Sequence, residues 1–64
     1  MKTLFDVMQL LKKYGIFIYT RERAVDLELM EEEIRELHQM KMIETITFQQ
    51  AILIIKHEAN LAKQ

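Results

Sequence analysis

The 64-residue sequence predicts an all-α fold, a three-helix bundle with a long second helix, forming a single helical domain over residues 1–64. Three observations predict it. Apolar side chains recur at three- and four-residue intervals in three separate stretches, the spacing that lines one face of a helix. Proline is absent and Gly15 is the only glycine, so punctuation of those stretches is sparse. The β-branched and aromatic run at residues 16–19 has no evident strand with which to pair, and reads as an extended connector.

The first helix opens at Thr3, a plausible N-cap with Asp6 three residues on, and runs to about Lys13. Leu4, Met8 and Leu11 line one face, and Val7 and Leu10 widen it. Gly15 supplies the left-handed residue that ends it, because only glycine takes positive φ without steric cost. Thr20 is expected to cap the second helix, in which Leu27, Met30, Ile34, Leu37 and Lys41 fall at heptad-like spacing. Met42 and Ile43 then anchor a hinge. Thr47 with Gln50 fits a capping box for the third helix, and Thr45 is the competing cap. That helix places Phe48, Ile52, Ile55 and Ala59 on one face and Ala51, Leu53 and Ile54 around the rest, as a centrally packed helix would. A buried strand at residues 51–55 is the alternative.

Composition closes off most chemistry. There is no Cys and no Ser, so disulfides, thiolates and serine triads are excluded, and a reducing compartment suits the chain. His38 has Ile34, Arg35, Lys41 and Met42 three and four residues away, and His57 has Leu53, Ile54, Asn60 and Leu61. Neither has the carboxylate or second imidazole that helical metal sites use. One glycine cannot build a loop that cradles phosphate. Asp26, Glu28, Glu31, Glu32, Glu33 and Glu36 wrap around a helix and read as a solvated face. No enzyme, cofactor, metal or small-molecule substrate is expected. The N-terminal residues do not resemble a secretory signal, and the longest apolar run, 51–55, is far short of the roughly 20 residues that cross a bilayer. A soluble, cytoplasmic protein without a membrane partner is expected.

The net charge of −1 conceals a dipole: residues 1–23 carry five basic and two acidic side chains, and residues 24–44 carry two basic and seven acidic. Arg21 and Arg23 fall at the start of the predicted second helix, beside backbone N–H groups that already carry about half a positive charge, where cations are disfavoured. A helix tip with added arginine is suited to an anion. Lys12, Lys13, Tyr14, Phe17, Tyr19 and Thr20 lie just upstream. Cations along phosphates and aromatic faces under bases are how single strands are held without sequence readout. Lys12, Lys13, Tyr14, Tyr19, Thr20, Arg21 and Arg23 are therefore the candidate nucleic-acid-binding residues, with single-stranded RNA or DNA as the partner. A purely structural reading competes: lysines suit a helix C-terminus, Arg23 is spaced to pair with Asp26, and Phe17 and Ile18 can plug the core. A protein-interaction or self-associating helical module, a homo-oligomer through apolar surface on the first and third helices, is the second functional expectation.

Lys13-Tyr14-Gly15-Ile16-Phe17-Ile18-Tyr19-Thr20, followed by Asp26-Leu27-Glu28-Leu29-Met30-Glu31, resembles the YqgQ-like family of small bacterial proteins, over essentially the whole chain. The resemblance implies a three-helix bundle, suggests single-stranded nucleic-acid binding and implies no enzymatic activity. Tyr14, Gly15, Phe17, Tyr19, Thr20 and Arg23 match the family's motif. Relatives tend to have Gly-Asp between that threonine and arginine, where this chain has Arg21-Glu22.

Overall fold

The computed structural model describes residues 1–63 and contains no strand among them. Three helices follow one another, α1 (Leu4–Lys13), α2 (Arg23–Gln39) and α3 (Thr45–Ala62). Residues 51–55 are helical, so the strand alternative falls.

Helix α1 begins with a reciprocal capping box. The Asp6 amide donates to Thr3 Oγ1 at 3.4 Å, and Asp6 Oδ2 accepts from the amides of Thr3 at 3.1 Å and Lys2 at 2.8 Å. Two donors at the helix start, the Thr3 and Asp6 amides, are thereby satisfied, together with the Lys2 amide just before it. At the other end Gly15 has φ 77°. The Ile16 amide reaches back to the Leu11 carbonyl at 3.0 Å, and the Gly15 amide to that of Lys12 at 2.9 Å. This paired return is the Schellman arrangement that a left-handed residue makes possible.

Helix α2 is shorter than the sequence suggests, 17 residues against 18 in α3. The reason is a left-handed residue on each side of it: Arg21 has φ 70° and Lys41 has φ 60°. Thr20 does not cap the helix. The turn at Arg21 intervenes, and the N-cap is Glu22, which makes no side-chain capping bond. At the far end the amides of Met42 and Lys41 return to the carbonyls of Leu37 and His38 at 2.9 and 3.0 Å, a second Schellman closure with lysine where glycine is usual. The heptad-like spacing therefore outlives the helix: Lys41 falls at the next position of the pattern but lies beyond the last turn. Helix α3 likewise starts at Thr45 with Glu44 as N-cap and no side-chain cap, so neither Thr45 nor Thr47 takes that role. Thr45 Oγ1 instead lies 3.2 Å from His38 Nε2.

Val7 and Leu11 of α1, Leu27, Met30, Ile34 and Leu37 of α2, Ile43 of the turn, and Ala51 and Ile55 of α3 form one buried cluster. All are apolar, and no polar side chain among the described residues is buried with them. Helix α3 packs most extensively on α2 and also touches α1. Phe48 extends the α2–α3 seam: its ring stacks on His38 at 4.1 Å and 9°, and the Arg35 guanidinium lies 5.9 Å from its centroid. Glu31 ties the same helices together. Its Oε2 accepts from Arg35 at 2.9 and 3.0 Å, and its Oε1 meets Lys56 Nζ at 3.1 Å.

A non-glycine residue in the left-handed region costs roughly 1–2 kcal/mol, and glycine gives part of that back through its freer unfolded chain. Arg21→Gly should therefore stabilise the fold by about 0.5–1 kcal/mol, read as a higher urea midpoint at unchanged slope. An unmoved or lowered midpoint contradicts the strain. Acid should act in a defined direction. Backbone N–H groups of Lys2 and Thr3 lower the Asp6 carboxyl below its usual range, and Arg35, then Lys56, lower that of Glu31. Each carboxylate lends stability that is present above its unfolded pKa and is lost as pH falls through the lower folded value. The thermal midpoint should hold from about pH 7 to 5 and fall below about 4.3, the ordinary glutamate value. The fall should be shallower in Glu31→Gln.

Candidate functional site

The connector between α1 and α2 leaves its largest side chains outside the core. Tyr19 is 78% exposed and Phe17 73%, while Ile16 and Ile18, pointing the other way, pack on the buried cluster. Alternation along an extended segment explains this: successive side chains project to opposite sides, so the two isoleucines face in and the two aromatics face out. Phe17 therefore does not plug the core as the structural reading expects, whereas Ile18 does.

The C-terminal end of the connector is held by Asp26. Its Oδ1 accepts the Thr20 amide at 2.8 Å and the Thr20 hydroxyl at 2.7 Å, and Thr20 Oγ1 in turn accepts the Glu22 amide at 3.2 Å. Asp26 is thus occupied with Thr20 and does not pair with Arg23. The Arg23 guanidinium reaches across to α3 instead, where its Nη2 lies 2.6 Å from Glu58 Oε2.

Two cavities adjoin between α1, the connector and the start of α2, with volumes of about 310 and 330 Å³. They share Met8, Ile18, Tyr19 and Met30 as walls, so together they form one apolar groove. Lys12 and Phe17 border one end. Arg21, Arg23 and Asp26 border the other, two guanidiniums against one carboxylate whose Oδ1 already accepts two hydrogen bonds. Among the described residues, Lys12, Lys13 and Arg21 have no carboxylate within ion-pair distance.

The seven residues singled out in the sequence are thus divided. Lys12, Tyr19, Arg21 and Arg23 line the groove. Thr20 lies between two of them and shapes the connector through Asp26. Lys13 is exposed in the last turn of α1 but does not line the groove. Tyr14 has a different position altogether: its ring is half-buried against the core and its hydroxyl donates to the Met42 carbonyl at 3.0 Å, tying the end of α1 to the α2–α3 turn. Only Arg23 belongs to the first turn of α2, since Arg21 precedes the N-cap.

Sequence reasoning did not anticipate two neighbours of the groove, Met8 and Glu58. Met8 and Met30 read as core or edge fillers: Met30 is indeed core, forming the floor of the groove, and Met8, 41% exposed, walls it with an unbranched, polarizable side chain. Their positions on facing helices were the available signal. Glu58 lies 35 residues from Arg23, and no local spacing could announce that pair.

A family model described as YqgQ-like matches residues 1–61. A protein of Bacillus subtilis (strain 168), "Uncharacterized protein YqgQ", is 35% identical over 63 residues, which cover 98% of this chain and 89% of that protein. Helix α1, the connector that walls the groove and the whole of α2 fall inside both matches, and this chain belongs to the YqgQ-like family.

Proposed function

We propose that this protein is a non-catalytic, cytoplasmic binding module, a small helical bundle that holds single-stranded RNA or DNA across the groove between α1 and the connector. Tyr19 offers the stacking face for a base. Lys12 and Arg21 follow the phosphates within the groove, Lys13 meets the strand outside it, and Arg23 lies beside them. Thr20 fixes the path of the connector, and Tyr14 contributes by bracing the end of α1.

The observation that carries this reading is an exposed aromatic on the same wall as unpaired cations. Tyr19 keeps 78% of its surface in solvent, which leaves its ring face free to stack. Arg21 retains an energetically unfavourable backbone angle beside it. The uncapped start of α2 adds N–H donors that favour an anion at the same edge.

Fluorescence anisotropy with labelled oligo(dT) and oligo(U) at low salt tests it. About three phosphate contacts on a single strand give a log–log salt slope near −2, hence weak and easily screened binding. Tyr19→Ala should lose roughly 1–3 kcal/mol of binding, and Arg21→Ala should lower affinity and make the slope shallower by about 0.7. Unchanged affinity in both variants would discard these residues. Absence of binding to either oligomer at low salt would discard the class.

A second reading rests on α3, none of whose residues lines the groove. Ile46 and Leu53, one heptad apart on α3, are 58% and 70% exposed, and Leu61 is 50% exposed. Such a stripe suits a helical partner or a second copy of the chain. Sedimentation equilibrium separates the readings: a dimer that dissociates in Leu53→Glu supports self-association, and a monomer at the highest concentration reached opposes it.

A further inference from the structure

We infer that Glu58 is an intramolecular competitor for the nucleic-acid phosphate, an acidic latch that neutralises Arg23 at the edge of the groove until a polyanion displaces it. The inference rests on the reading just proposed and concerns the regulation of that same site.

Arg23 is the only groove cation with an ion-pair partner among the described residues. That partner comes from α3, an element that contributes no other residue to this edge. The Nη2–Oε2 separation of 2.6 Å is that of a charge-assisted hydrogen bond. The pair is not buried, with the arginine side chain 58% exposed and the glutamate 23%. Its strength therefore falls in the range of exposed ion pairs, small enough for a phosphate to overcome. Asp26, the carboxylate one helical turn from Arg23, is engaged with Thr20 and leaves Arg23 free to reach α3.

Two consequences distinguish a latch from a merely structural bridge. Removing the Glu58 charge should strengthen binding of a strand instead of leaving it unaltered, and it should add one phosphate contact. Glu58→Gln is nearly isosteric, so the fold is expected to persist. With labelled oligo(dT) it should bind up to about fivefold more tightly than the unaltered chain, and its salt slope should steepen by about 0.7. Glu36→Gln, the same change of charge at an exposed position on α2, controls for the overall field. Arg23→Ala/Glu58→Gln should lose the gain.

An equal gain in Glu36→Gln would overturn the latch, because the effect would then be one of net charge. Unchanged affinity and slope in Glu58→Gln, with binding still weakened by Arg21→Ala, would overturn the latch and leave the binding reading intact. Absence of oligo(dT) binding in every form would overturn both. A gain confined to Glu58→Gln and abolished by Arg23→Ala is the result expected.

Discussion

A single carboxylate sets the shape of the candidate site. The connector between α1 and α2 has no regular backbone pairing, and an extended segment without partners would ordinarily be free to sample many conformations. Asp26 Oδ1 removes that freedom by accepting both the amide and the hydroxyl of Thr20. Gly15 closes the other end through its left-handed turn. Held at both ends, residues 16–19 must alternate, with Ile16 and Ile18 on the core and Phe17 and Tyr19 in solvent. The groove follows from that alternation, because Ile18 and Tyr19 supply the wall facing Met8 and Met30.

How much of this was legible depends on the range of each interaction. Thr3, Asp6 and Gly15 announce α1 because their partners lie three or four residues away and their residue types are the ones such turns demand. The core of α2 was equally legible, Leu27, Met30, Ile34 and Leu37 all being buried. Its ends were not. Arg21 and Lys41 occupy left-handed positions that residue type does not advertise, and the tertiary gain from closing each turn outweighs their local cost.

The candidate site was legible as a list of residue types and only partly as an arrangement. Charge and aromaticity marked out residues 12–23, and of these Lys12, Tyr19, Arg21 and Arg23 converge on one groove. Tyr14 resembles Tyr19 in composition but not in role, since its partner is the Met42 carbonyl 28 residues away. The Arg23–Glu58 pair has the same long-range origin. A cation that is offered to solvent and a cation that is already paired look alike in sequence, and their difference decides how many charges the groove presents.

The most direct measurement is a ¹H–¹⁵N NMR titration of the labelled protein with unlabelled oligo(dT). Binding across the groove predicts shifts concentrated at Met8, Lys12, Arg23 and the amides of residues 17–21, with the outer face of α2 around Glu32 and Glu36 unmoved. Shifts that cluster on α3 around Leu53, or a spectrum that stays unchanged at saturating oligomer, would contradict it.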